Sequence, residues 1–183
     1  MDKHKELDKV AWEIQNCKIC KVGKSGIAVP GEGNPNADIV FIGEAPGKNE
    51  ALIGRPFIGR SGKLLRKTIT DVLGLKEDQV FITSPVKYLP DSGTPTSSDI
   101  AHGKIHLEKQ LEIIDPKIIV LLGRVAAEGA LGLKVAVKKD HGKIIDRDGR
   151  KYFITLHPAA VVRFAKNRED FESDFKKLKS LLN

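Results

Sequence analysis

Two stretches of this chain set reactive side chains beside residues that restrict the backbone. In Gly43-Glu44-Ala45-Pro46-Gly47-Lys48 a carboxylate follows the apolar run Ile39–Ile42 and precedes a proline, so Glu44 reads as a rigidly aimed group at a strand's end. The lysine invites comparison with a phosphate-binding loop. Such a loop needs four residues between its glycines and Ser or Thr after the lysine; here there are three, and Asn49 follows. Gly31-Glu32-Gly33 lacks the third glycine of a dinucleotide fingerprint and precedes a strand, where the fingerprint would follow one. The second stretch, His157-Pro158-Ala159-Ala160, puts an imidazole just past another apolar run. Either segment could be a plain strand-to-loop turn, and a strand-end histidine is often only a hydrogen-bonded structural group. Cys17 and Cys20 have the C-x2-C spacing of half a metal site, which His102 or His106 could complete for zinc. The same pair also fits two small, partly buried residues.

The elements that must hold these groups follow from apolar periodicity. Residues 2–16 predict an amphipathic helix, with Leu7, Val10, Ala11 and Ile14 at helical spacing. A Gly- and Pro-rich loop over 23–36 leads to a buried strand at Ile39–Ile42. A helix is predicted from about Ser61 to Leu73, stopped by Gly74, and a second strand over Val80 to Thr83. Thr96 and Asp99 form a capping-box pair opening a helix that Pro116 closes. Lys117 to Leu122 is a third strand, apolar at nearly every position as burial on both faces demands, and Tyr152 to Leu156 is a fourth. A last helix carries Phe171, Phe175, Leu178 and Leu182 on one face. Alternating strands and helices predict an α/β fold, a three-layer α/β/α sandwich around a central four-stranded parallel sheet, in one domain over 1–183. Glu44, Ser84, Gly123 and His157 then all lie just beyond strand ends. Ligands bind at the carboxyl ends of strands in such sheets, so these remote segments should meet in one crevice.

The chain's net charge is +7, with 31 Lys plus Arg against 24 Asp plus Glu. That excess suits a polyanionic partner, DNA above all, because neutralising phosphates releases condensed counterions. The longest apolar run, Ile118 to Leu122, is far short of a membrane span, and the charged start lacks an export signal. The expectation is a cytoplasmic protein without membrane contact, and a monomer.

VPGEGNPNADIVFIGEAPG, continuing into GKNEALIGRPFIGRSGKLL, together with LHPAAVVR, resembles the family-4 uracil-DNA glycosylases. The similarity runs from about Cys17 to Arg163, and LEKQLEIIDPKIIVLLG also looks like that family's helix-to-third-strand segment. The resemblance implies the four-stranded α/β/α fold and roles for particular residues. Gly43 and Glu44 match the catalytic loop, with Ala45 and Ser84 in the base pocket. Phe57 matches the aromatic on which an extruded base stacks, and His157 the histidine that contacts uracil O2. Glu44, with Glu50 as a second candidate, would orient the attacking water. Pro158 and Ala159 match the loop that enters the minor groove. Lys48, Arg55, Arg60, Ser61, Lys63 and Arg163 would contact the DNA backbone.

Two departures from the family pattern bear on function. Ser84 stands where the family has an asparagine that reads the uracil edge, and serine presents no fixed amide donor and acceptor. The family binds a [4Fe–4S] cluster through four cysteines. Cys17 and Cys20 match the first two, but Tyr88 stands at the third position and the fourth falls near Gly103. No complete cluster is expected from two thiolates, short of ligands shared between subunits. The implied activity is a monofunctional glycosylase that flips a deaminated base, uracil first, out of DNA and hydrolyses its glycosidic bond, with no cofactor needed for catalysis. Two alternatives stay open: a shift to another base such as hypoxanthine, and a DNA-binding protein of the same fold with little or no turnover.

Overall fold

The computed structural model describes residues 2–182; the outermost residues of the expected 1–183 domain lie outside that range. In chain order the helices are α1 (Lys3–Asn16), α2 (Lys18–Lys21), α3 (Lys48–Ile53), α4 (Arg60–Thr68), α5 (Ser97–Ile114), α6 (Arg124–Leu131), α7 (Val137–Asp140), α8 (Pro158–Arg163) and α9 (Arg168–Leu182). The strands are β1 (Lys24–Ser25), β2 (Glu32–Gly33), β3 (Ile39–Ile42), β4 (Phe81–Thr83), β5 (Leu89–Pro90), β6 (Ile118–Leu122), β7 (Ile144–Arg147) and β8 (Arg150–Thr155). Among the described residues the main sheet has the order β2-β4-β3-β6-β8-β7. Its centre, β4-β3-β6-β8, is parallel throughout, as the apolar runs predict.

The four parallel strands expected at the centre are extended at both edges. β2 joins β4 and β7 joins β8, each antiparallel, making a mixed six-stranded sheet. These edge strands carry little apolar pattern. β2 is two residues long, and β7 ends in Asp146-Arg147, so neither announces itself by periodicity. The turn from β7 to β8 runs through Asp148 and Gly149, both at positive φ (52° and 77°), which is the geometry of a two-residue hairpin.

Alternation along the strands divides the core. Ile39, Phe41, Val120, Leu122 and Phe153 face Leu65, Phe171 and Phe175 on one side. Val40, Ile42, Ile119, Leu121 and Ile154 face Leu107, Leu111, Ala126 and Leu131 on the other. The helices therefore form two outer layers and the strands the middle one. The helix predicted over 61–73 departs from expectation at its end: α4 stops at Thr68 and Ile69–Leu73 form a π turn before Gly74. Ile69 and Leu73, at the two ends of this turn, are both buried. At the other face Thr96 and Asp99 close their reciprocal cap on α5 as the sequence predicts. Lys87, fully buried behind β4, donates to Pro30 O at 3.0 Å, Thr83 Oγ1 at 2.7 Å and Gln110 Oε1 at 2.8 Å. No helix among the described residues is long and apolar enough to cross a membrane.

Candidate active site

The carboxyl ends of the parallel strands open onto one cavity of about 270 Å³. Glu44 and Ala45 enter it from beyond β3, Ser84 from beyond β4, and His157 and Ala159 from beyond β8; Phe57 and Ser61 close a further wall. Three of the four segments expected to converge line this cavity; Gly123 lies behind His157, where a Cβ on it would sit 3.1 Å from the His157 Cβ, and does not line it. The rings of Phe57 and His157 lie 5.8 Å apart between centroids and 30° from parallel.

Phe57 is held by its backbone as much as by packing. Its φ is +52°, a left-handed conformation that a bulky residue rarely adopts. Two glycines make room for it. A Cβ on Gly43 would lie 2.5 Å from Phe57 Cζ, and one on Gly62 would lie 2.0 Å from the Phe57 carbonyl carbon. Arg66 donates to Phe57 O at 2.9 Å and to Pro56 O at 2.8 Å. Glu50, expected above as a second water-orienting group, lines the cavity and also braces its wall. Its Oε1 accepts from the backbone N–H groups of Ile58 and Gly59 at 2.9 and 2.8 Å, so it clamps the Phe57 loop. Neither Gly62 nor Arg66 was singled out by the sequence. Their partners are backbone atoms nearby in the chain, which carry no residue signal.

His157 caps α8, and its Nδ1 accepts from the Ala159 N–H at 3.1 Å. A ring nitrogen that accepts must hold its lone pair there, so in the neutral ring the proton resides on Nε2. Burial pulls the imidazole's pKa down to about 4, which keeps it neutral across the physiological range. The site thus has a neutral Nε2–H donor. Glu44 is displaced the opposite way: burial raises its carboxyl above the usual range, and Arg124 partly offsets this. Ser84 is buried, and its hydroxyl donates to Val86 O at 2.8 Å. What remains for a ligand is the oxygen's accepting capacity.

Lys48 opens α3, Arg60 opens α4 with Lys63 one turn on, and Arg163 ends α8; all four are exposed. Pro158 is buried at the first position of α8. Arg55 is also exposed but already has a carboxylate partner. It forms a two-point ion pair with Glu32, Nε to Oε2 at 2.8 Å and Nη2 to Oε1 at 2.9 Å.

Away from the cavity, the two cysteines meet both candidate histidines rather than one. The ligand atoms of Cys17, Cys20, His102 and His106 all lie within 4.8 Å of one another. Burial pushes the Cys20 thiol up to about 12 and lowers His106 below its ordinary value. The residues do not fit the family's [4Fe–4S] cluster. Tyr88, at the third cysteine's position, is buried against Val10, Ile14 and Cys20, filling space on that side. A cluster needs four thiolates or close substitutes, and its own atoms would hold the ligand atoms further apart than they are here.

Comparisons with known proteins identify the family. The family model described as the uracil DNA glycosylase superfamily matches residues 30–179. The type-4 uracil-DNA glycosylase of Sulfurisphaera tokodaii is 40% identical over 188 residues, spanning 96% of this chain and 84% of that protein. That of Archaeoglobus fulgidus is also 40% identical, spanning 96% and 92%. That of Thermotoga maritima is 36% identical, spanning 96% and 94%. A family model matching residues 30–179 and identities of 36–40% over nearly the whole chain show that it belongs to the uracil-DNA glycosylase superfamily, in its type-4 branch.

Proposed function

We propose that the protein removes uracil from DNA by hydrolysis, with Glu44 and His157 as the catalytic residues. The single observation that carries this reading is the facing pair Phe57 and His157 across a cavity that Glu44 and Ser84 also line. A base rotated out of the helix would stack on Phe57, which contributes roughly 1–3 kcal/mol against the few kcal/mol needed to unstack it. As the C1′–N1 bond breaks, its electron pair leaves with the base and positive charge builds on the sugar. The neutral Nε2–H of His157 donates to O2 of the departing anion, a hydrogen bond worth roughly 1.5–3 kcal/mol or ~10–100-fold in rate. The Glu44 carboxylate offsets the sugar's charge and orients the water whose oxygen becomes bonded to C1′. One water proton passes to solvent and the base takes up one in turn. Each step uses only side chains, DNA and water.

Ser84 accepts the N3–H of uracil through its free lone pair but presents no donor to O4, because its proton is taken by Val86 O. The pocket therefore reads one edge group where the family's amide reads two. The test is incubation with single- and double-stranded oligonucleotides containing uracil, hypoxanthine or xanthine, followed by alkaline cleavage of abasic sites. Uracil-dependent cleavage that is lost in Glu44→Ala and cut by ~10–100-fold in His157→Ala is the expected result. Tight, salt-sensitive binding without product from any of the three bases would overturn it in favour of a DNA-binding role.

A further inference from the structure

Cys17 and Cys20 enclose a short turn: Cys17 caps α2, and its Sγ accepts the Cys20 N–H at 3.4 Å. Across from them His102 and His106 sit one turn apart on α5, their rings edge to face at 5.7 Å between centroids. His102 Nε2 lies 3.1 Å from Cys17 Sγ. His106 is only 6% exposed, and neither of its ring nitrogens has a hydrogen-bond partner among the described residues. A buried polar atom left unpaired costs about 1–3 kcal/mol, so His106 is placed at a loss unless something binds it. Its neighbours are two sulfurs and another imidazole, which makes that something a soft or borderline cation.

We propose that Cys17, Cys20, His102 and His106 bind one zinc ion, in place of the iron–sulfur cluster of the family. C-x2-C followed by H-x3-H is the spacing of tetrahedral Cys2His2 sites. With Zn–S about 2.3 Å and Zn–N about 2.0–2.1 Å, a tetrahedron's edges are about 3.3–3.8 Å. Ligand atoms within 4.8 Å of one another reach that by small side-chain rotations. Binding releases the proton of each thiol to solvent and takes both imidazoles neutral, so the four-ligand complex carries no net charge, which suits its buried setting. A second cavity, walled in part by Cys20 and His102, gives the ion an entry path. The ion would staple the α1–α2 junction to the middle of α5. Gly103, between the two histidines' turns, sits so close to Pro85 that a Cβ there would lie 2.1 Å from its carbonyl oxygen. The staple therefore also steadies the segment that carries Ser84.

The test is metal and sulfide analysis of the full chain, purified in air and anaerobically, with cobalt substitution as a spectroscopic probe. About one zinc per chain is expected, with no acid-labile sulfide in either preparation. Cobalt should give the intense visible bands of a tetrahedral site and a thiolate charge-transfer band. His106→Ala should weaken zinc binding by at least ~100-fold, while His106→Cys, which keeps a ligand, should retain it. Chelation of the wild-type protein should lower its melting temperature, a readout that requires no variant to fold. Iron with sulfide in the anaerobic protein would overturn the proposal. So would substoichiometric zinc, an octahedral cobalt spectrum, or zinc binding unchanged in His106→Ala.

Discussion

At the scale of single residues, burial sends Glu44 and His157, the two groups proposed to be catalytic, in opposite directions, and pH separates them. In the proposed mechanism Glu44 acts ionised, and burial holds its carboxyl above the usual value, so kcat/KM should fall on the acid side at a higher pH than an ordinary glutamate would give. Glu44→Gln should remove that limb and lower the plateau by roughly 10²-fold or more. His157, neutral down to about pH 4, should contribute no limb above it. It does leave a mark on stability. Between its ordinary value of 6.5 and about 4 the unfolded chain binds a proton that the native ring refuses. Stability is therefore full above pH 6.5 and falls as pH drops toward 4, by at most about 3 kcal/mol. Denaturant midpoints at pH 7.5 and 5.0 should differ less in His157→Asn than in the wild type. Ser84 gives a third residue-level expectation. Ser84→Asn restores a side chain with both a donor and an acceptor, so uracil excision should rise relative to hypoxanthine. Unchanged or lower uracil activity would refute the pocket assignment.

The elements explain which of these features were legible in advance. β3, β4, β6 and β8 are short apolar runs that only a doubly covered strand requires, and the groups beyond their ends marked the crevice. β2 and β7 were not legible, because an edge strand facing solvent needs no apolar pattern; Asp148-Gly149 was the one hairpin signal available. The tilt of Phe57 was also hidden. It depends on a positive φ, on the bare Cα of Gly62 and on a carboxylate gripping two backbone N–H groups, all contacts made with main chain. Glu50 consequently looked like a free acid near a reactive loop, although its carboxylate is engaged. Removing that clamp tests the account. Glu50→Ala leaves the Ile58 and Gly59 N–H groups without their acceptor, a loss of about 2 kcal/mol, or about 5 °C in melting temperature. Because the loop then releases Phe57, kcat/KM on uracil should drop roughly 10-fold or more even well below the melting point. Normal kcat/KM in a destabilised Glu50→Ala protein would show that the clamp serves folding alone.

Across the whole molecule the basic excess is distributed unevenly in what it can do. Many cations are already engaged: Arg55 and Arg66 both reach Glu32, and together they hold its carboxyl low despite the burial that would raise it. Among the described residues Lys48, Arg60, Lys63 and Arg163 have no carboxylate partner within ion-pair distance, and they belong to the helices that carry or adjoin the cavity walls. Sequence alone could not make this distinction, since Arg55 and Arg60 flank the same Pro56-Phe57 turn and differ only in having Glu32 opposite one of them. Counterion release converts the difference into a measurement. Each phosphate neutralised on duplex DNA adds about 0.9 to the magnitude of the slope of log K against log salt. Lys63→Ala or Arg163→Ala should weaken binding to any sequence and reduce that slope by about one. Arg55→Ala should leave the slope unchanged, because breaking its pair with Glu32 alters the fold's own electrostatics and not the count of phosphates held. Equal slope changes for Arg55 and Lys63 would mean that Glu32 yields its partner when DNA arrives, and would return Arg55 to the binding surface.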